Sequence, residues 1–525
     1  MSLSARIRTL FLFLAVMASL PSWSQNSASQ APANENASLA APQHVRDITS
    51  TFTLPEEEFR PKGSELKLSL NEAIDIALEL NPQVRSSEHG LESSLANLDY
   101  TESAYRDTFD LNASNTPIIR ETFRHTANKR GYMSNENNTL FRIGPEYART
   151  FRNGSNVRVN PEIQYQNDSD APFNGDHADD YYAINLSLNI PINSKPREQI
   201  RTDIENAKLS TIQSDYSLYM RKKSTTDQVI NSYWSIKSLE LNVDIQKERL
   251  LQARMLEFIS KVKLDNEQVS ELDYGKAQVD VLNQEATLIS TVGRLRTSIE
   301  RFNILLGMPV DTQLILPDEL LVNPLPISAD KYVEMVTSTN LELENIRLSI
   351  RKAENSLRIA RLGQQPNFTL TNFFNRDDEG NQEFGAGLIF NWNFGDGGAT
   401  KARVRALQHD LEQQKINLWN TERSLVQDTY ADLRDLLLER QRIDILIKNV
   451  DQAARTFDNA LFKYTNFGES TFLEMQDFQN NLARNRSDLV SAKVSYNIAM
   501  SGLMSKVHEY KPTDKVEPLL SILDR

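Results

Sequence analysis

Residues 399–467 run without one Gly or Pro, and within them Val426, Tyr430, Leu433 and Leu437 recur at helical spacing, with Asp428, Arg434 and Asp435 between. The pattern predicts a helix that would reach roughly 100 Å if unbroken. That is far longer than the helix of an ordinary globular domain. Gly395, Gly397 and Gly398 precede the run and Gly468 follows it. Residues 197–274 are a second copy: they also lack Gly and Pro, and Val229, Tyr233 and Ile236 repeat the spacing of Val426, Tyr430 and Leu433.

Each long run is preceded by segments of period two. Phe109, Leu111 and Ala113 alternate with Asp110, Asn112 and Ser114. Tyr182, Ile184, Leu186, Leu188 and Ile190 alternate with Ala183, Asn185, Ser187 and Asn189. Phe384, Ala386, Leu388, Phe390, Trp392 and Phe394 share one face, with Gly385, Gly387, Asn391 and Asn393 on the other and Ile389 as the exception. An apolar side facing lipid and a small or polar side facing water is what a barrel strand needs. Helical patterns open both halves. One starts at Leu70, breaks at Asn81-Pro82 and resumes from about Gln83 to Tyr105; the other covers Lys331 to Leu362. Asn340 matches Asn81, and at the same offset Phe368 and Leu370 match Phe109 and Leu111. The chain is an internal duplication, each half reading helix, strands, long helix, turn, helix.

The copies differ between their strands, where the first carries an insertion at about 135–170. Phe141, Ile143, Tyr147 and Phe151, then Val157, Val159, Ile163 and Tyr165, alternate with polar residues around a turn at Asn153-Gly154. Either the insertion adds two membrane strands or it is an extracellular hairpin. Pro145, Arg149 and Pro161 on the apolar faces count against the first option and favour the surface hairpin. The domain reading is an export signal at 1–24, a flexible leader at 25–65, repeat 1 at 66–310, a linker at 311–329, repeat 2 at 330–506 with strands within 367–394, and a tail at 507–525.

Composition sets the address. Arg6 and Arg8, the apolar run Leu10 to Leu20, and Ser22 and Ser24 before the cleavage point form an export signal. No later stretch approaches the apolar length of a membrane-spanning helix, so a mature chain that crosses a membrane does so as strands. Net charge −13 with no basic stripe argues against a nucleic-acid partner. Cysteine is absent and the six His residues are scattered, so no metal site and no cofactor is expected. No nucleophile elbow or phosphate loop is present, and the chain is not read as an enzyme; Gly395 to Gly398 lack the Lys of a phosphate cradle and read as a strand-to-helix hinge.

Leu70-Asn71-Glu72-Ala73 with Ala77-Leu78 and Asn81-Pro82, then Leu305-Leu306-Gly307-Met308-Pro309, then Leu357-Arg358-Ile359-Ala360 leading to Pro366, and Gly468 ahead of Leu473 and Asp477, stand in an order that resembles the TolC-like outer-membrane efflux factors over roughly 66–506. The resemblance implies a mixed α+β membrane protein: a homotrimer in which each protomer gives four strands to a common β-barrel that continues into a periplasmic α-helical coiled-coil tunnel. Its partners would be outer-membrane lipid, a periplasmic adaptor (membrane fusion protein) and an inner-membrane transporter, in a tripartite efflux pump or a type I secretion system. Geometry agrees, since four strands cannot close a barrel and open edges cannot face lipid. Three copies give twelve strands, or eighteen if the insertion joins them.

The resemblance also assigns roles. Aligned on Gly468, the acidic channel gate falls on Glu474 and Asp477, three apart on one helical face, and in the first repeat, where Glu267 replaces the expected Gly, on Asp273. Rings of such carboxylates attract cations; the alternative is that they are ordinary solvated charges. The Arg and Tyr that latch the family's type member are replaced by Ser470 and Thr465, so the latch is different; Tyr464, Lys463 or Lys261 are the candidates to take its place. The adaptor-contact tip would be Asn466, Phe467 and Gly468. Tyr182, Phe384, Phe390, Trp392 and Phe394 suit a lipid-facing girdle, while Tyr233, Trp234 and Tyr430 suit packing between helices. The competing reading of the whole chain is a periplasmic coiled-coil scaffold or adaptor without a pore.

Overall fold

The computed structural model describes residues 65–125, 131–168, 177–322, 329–377, 380, 382–392, 395–466, 471–507 and 510–522. The export signal and all of the leader before Glu65 lie outside them, as do Phe394, Phe467 and Gly468. In chain order the elements are β1 (Glu65–Lys67), α1 (Leu70–Leu80), α2 (Pro82–Ser103), β2 (Asp107–His125), β3 (Gly131–Thr150), β4 (Asn156–Asp168) and β5 (His177–Pro191). They continue with α3 (Lys195–Asp265), α4 (Glu271–Leu306), β6 (Gln313–Ile315), α5 (Ala329–Ser338), α6 (Leu341–Leu362), β7 (Asn367–Asp377), β8 (Gln382–Asn391), α7 (Ala399–Asn466) and α8 (Phe472–Lys506). The chain divides into two compact units, one holding Ile245–Glu285 and Asp444–Leu489, the other Pro55–Asp244, Ala286–Ile443 and Val490–Arg525.

Two asparagines that the sequence aligns, Asn81 and Asn340, both cap helices. Asn81 ends α1 and starts α2, its side-chain oxygen accepting from the Gln83 and Val84 amides at 2.8 and 3.3 Å. Asn340 does the same for α6, accepting from Glu342 and Leu343 at 2.9 and 3.1 Å. An asparagine amide oxygen satisfies amides that the first helical turn leaves unpaired. The helical stretch expected as one piece from Lys331 to Leu362 is therefore two helices, α5 and α6, parted at Thr339-Asn340.

The second long run is also interrupted. α3 stops at Asp265, inside the stretch that lacks Gly and Pro, because Glu267 adopts a left-handed conformation with φ 58°. The Gln268 amide reaches the Lys263 carbonyl at 2.8 Å and the Glu267 amide reaches Leu264 at 2.9 Å. This closure of a helix end ordinarily uses glycine.

Six strands form one antiparallel sheet in the order β2-β3-β4-β5-β7-β8. The insertion is thus not a hairpin standing off the sheet. It runs as β3 and β4 through the middle of the sheet, between the two strands of repeat 1. The residues that argued otherwise have local explanations. Pro145 and Pro161 lie in a gap of the β3–β4 ladder, between the pairs Ile143–Ile163 and Tyr147–Val159, where no strand amide is needed. Gly144 permits the close approach there, since a Cβ would meet the Pro161 carbonyl oxygen. Arg149 sits near the end of β3 and pairs with Asp107 at 3.1 Å.

The second unit's core includes Leu91 of α2, Leu209, Ile212 and Tyr216 of α3, Leu341 and Leu348 of α6, and Val516 of the tail. The tail is anchored by the Tyr510 hydroxyl donating to Asp215 and by an ion pair of Lys515 with Glu92 at 2.6 Å. The first unit is centred on Met255, Leu256, Phe457, Leu461, Tyr464 and Met475, all buried.

Candidate functional site

The three acids of the expected gate lie in the unit built from the ends of the long helices. Asp273 is the third residue of α4 and Glu474 the third of α8. Each closes a reciprocal cap. The Asp273 amide donates to Ser270 Oγ at 3.2 Å while Ser270 Oγ donates to the Asp273 carboxylate at 2.8 Å. The Glu474 amide donates to Thr471 Oγ1 at 3.3 Å while the Thr471 amide donates to the Glu474 carboxylate at 2.8 Å. An acid at this position also suits the positive end of the helix dipole.

Asp273 further pairs with Lys276 at 3.0 Å. The Ser270 hydrogen bond first, and then Lys276, hold its carboxyl below the usual aspartate range. Glu474 and Asp477 are exposed on α8. Two of the three acids thus have a local structural job that leaves their charge open to water. Asn466 is the last residue of α7.

Sequence reasoning missed a polar layer beneath these acids. Asp280, buried on α4, accepts from Gln284 and from Gln476 of α8, both at 2.9 Å. It follows Asp273 by two helical turns, so the i, i+7 spacing was the available signal. Of the residues named as latch substitutes, Tyr464 lies in a cluster within α3 and α7, while Ser470, at the replaced latch position, lies outside the described residues. Tyr464 is buried, its hydroxyl 3.1 Å from that of Ser260. Lys263, not Lys261, donates to the Tyr464 carbonyl and lies 3.9 Å from its ring centroid. Burial pushes the Lys263 ammonium below its usual range and the Tyr464 hydroxyl above it.

Of the residues expected to form the girdle, Tyr182, Phe384 and Phe390 sit on one face of the sheet, and Trp392 directly follows β8. Pairing places Phe368 opposite Phe390, Leu370 opposite Leu388 and Phe374 opposite Phe384, with Ile190 and Leu186 next to Leu370 and Phe374. Phe384 is 85% exposed, and Tyr182, Phe390 and Trp392 are each at least half exposed. Nothing among the described residues covers the exposed part of these side chains. At the end of β8 the chain turns through Gly397 and Gly398, both with positive φ, and Asp396 accepts from the Gly398 and Thr400 amides at 2.9 and 2.8 Å to start α7. Those hydrogen bonds, that of Thr400 first, hold the Asp396 carboxyl below its usual range.

Residues 333–506 match the outer membrane efflux protein family. That segment is an outer membrane efflux protein domain. None of the curated protein sequences matches the chain. Among solved structures it is similar to the Campylobacter jejuni CmeC outer membrane channel, at 14% identity and a TM-score of 0.63, over 95% of this chain and 97% of that one. It is likewise similar to the outer membrane protein VceC of Vibrio cholerae, at 15% identity and 0.62, over 83% and 96%. The open-state MtrE outer membrane channel of Neisseria gonorrhoeae matches at 14% identity and 0.59, over 83% and 88%. These likenesses establish the fold. The matched segment holds Glu474, Asp477, Tyr464, Phe384, Phe390 and Trp392; Asp273 and Tyr182 precede it.

Proposed function

We propose that the protein is an outer-membrane channel that gives substrates a passive exit duct, working with a periplasmic adaptor and an inner-membrane transporter of an efflux pump or type I secretion system. One observation carries this reading: a sheet with a largely apolar face whose outermost strands, β2 and β8, each have a neighbour on one side only among the described residues. A lipid-embedded sheet cannot keep such edges. Three copies joined β8 to β2 remove them all, because a head-to-tail contact that closes makes a ring. The exposed apolar row Ile416, Trp419, Tyr430, Leu437 and Leu438 on α7 is the complementary surface through which neighbouring helical portions meet. The efflux protein domain and the channel fold support the same reading.

In this arrangement the long helices line a periplasmic tunnel, and the turn at 466–468 faces the adaptor. Asp273, Glu474 and Asp477 from three copies ring its narrow end and concentrate cations there. The wild-type protein in a planar bilayer is expected to conduct and to be blocked from the periplasmic side by trivalent cations. D273N/E474Q/D477N is expected to conduct with block weakened at least tenfold. Unchanged block removes these residues from the constriction, and no conductance from correctly inserted protein removes the duct.

A further inference from the structure

We propose that β3 and β4 are membrane-spanning strands in their own right, so that three copies close a barrel of eighteen strands with a charged sector in each protomer's lumenal wall. The proposal rests on the outer-membrane duct reading and adds what that reading leaves open, the make-up and width of the wall.

The position of the β3–β4 turn comes first. Phe151 and Ser155 are joined by a backbone hydrogen bond of 2.8 Å, and Gly154 lies so near Pro191 and Pro196 that a Cβ would collide with both. Those prolines flank the junction of β5 with α3. The turn is therefore at the helix side of the sheet, the end opposite an extracellular loop. From it β4 runs beside β5 for the full length of the ladder, from Asn156–Asn189 to Asp168–His177. A tilted membrane strand needs about 9–11 residues; β3 has 20 and β4 has 13.

Cross-strand register then extends one apolar face over all six strands. Leu188, Leu186 and Tyr182 of β5 stand opposite Val157, Val159 and Ile163 of β4. Val159 and Ile163 stand opposite Tyr147 and Ile143 of β3, which stand opposite Phe109 and Ala113 of β2. A one-residue slip in either inserted strand would have put its apolar set on the other side. The cation on this face of β3, Arg149, is at the helix-side end, paired with Asp107 and 4.9 Å from the Phe151 ring centroid, as an interfacial anchor is.

The opposite face changes character where the inserted strands enter. On β5, β7 and β8 it carries Asn185, Ser187, Thr369, Thr371, Phe373, Gly385, Gly387 and Ile389 along the strands, with a charge, Glu383, near the start of β8. On β3 and β4 it carries Arg142, Glu146, Arg158 and Glu162. Glu146 pairs with Arg158 at 2.7 Å and accepts from Asn112 of β2 at 2.9 Å, and Glu162 accepts from Asn185 of β5 at 3.1 Å. These bonds tie the insertion to its neighbours on both sides and make sense on a water-filled side, not in lipid. Barrel diameter grows about linearly with strand number, so eighteen strands give a mouth about half again as wide as twelve.

The chain has no cysteine, so single-cysteine variants test this directly. I143C, V159C and I163C on the inserted strands, L388C on β8 as the lipid-facing control and A148C on the polar face are labelled with bimane and reconstituted as trimers in vesicles of brominated-chain lipid. The inserted-strand positions are expected to be quenched to within twofold of L388C, with A148C quenched at least fivefold less. Any one of the three that assembles decides the matter. Inserted positions left unquenched while L388C is quenched overturn the eighteen-stranded wall and leave the duct intact. An unquenched L388C in assembled protein overturns the duct reading itself.

Discussion

The two long helices carry one pattern and put it to different uses. On α3, Val229, Tyr233 and Ile236 are fully buried. The Tyr233 hydroxyl donates to Asp318 at 2.6 Å, and its ring meets Trp234 and Phe302 edge-on. On α7 the matching Tyr430 is 45% exposed and donates to Asp330 at 3.4 Å. Leu433 is buried, but Leu437, the next member of the stripe, is open to solvent along with Trp419 and Leu438. Among the described residues the stripe of α3 is covered and that of α7 is partly open. In the proposed assembly the open part of α7 meets a neighbouring copy.

That contrast breaks most sharply at the paired tyrosines. Y233A is expected to destabilise the protomer by about 3–5 kcal/mol, as truncation of a buried aromatic does, read by thermal unfolding. Burial first, and then the Asp318 carboxylate, push the Tyr233 hydroxyl well above the ordinary tyrosine range. Y233F, which keeps the ring and removes the donor, is expected to cost about 1–2 kcal/mol. Y430A/L437A is expected to leave protomer stability within about 0.5–1 kcal/mol while shifting the population from trimer to monomer. Equal effects of Y233A and Y430A on protomer unfolding would erase the distinction.

Smaller effects sharpen it. N81A is expected to cost about 1–2 kcal/mol, as loss of a helix cap does, and more than N340A, because Asn81 also donates from its amide nitrogen to the Leu305 carbonyl at 2.7 Å. E267G is expected to stabilise the α3–α4 turn by about 1 kcal/mol, since glycine takes a positive φ without strain, and is read as slower amide exchange there. The smallest effect concerns acid. The Asp273 carboxyl is held down in the folded state, so its contribution to the cap is present above the unfolded aspartate value and is lost only as pH falls through the lower folded value. Cation block at the turn is expected to persist at a pH where an ordinary aspartate is half protonated.

Most elements were legible because the two periodicities are long and clean: α7 needs no tertiary information beyond the stretch from Ala399 to Asn466. What was hidden depends on contacts far apart in the chain. The end of α3 could not be located, since Glu267 stands where glycine would have marked it. Pro145, Pro161 and Arg149 spoke against membrane strands, and only the register shows that the prolines share a ladder gap and that Arg149 has Asp107 beside it. The packing of the tail through Tyr510 and Val516 has no periodic signal at all. At the helix turns, alignment of the repeats found Asp273 and Glu474 as counterparts. Their capping bonds to Ser270 and Thr471 explain why an acid stands at each without invoking the pore. The Lys263–Tyr464 clasp, by contrast, joins helices about two hundred residues apart and leaves no trace in local sequence.

The claim on which all of this turns is that a protomer with two open sheet edges is completed by copies of itself in lipid. Native mass measurement of the wild-type protein, extracted with mild detergent from the outer-membrane fraction, tests it most directly. Three copies per particle is the predicted result; a single chain that stays in solution without detergent would contradict it.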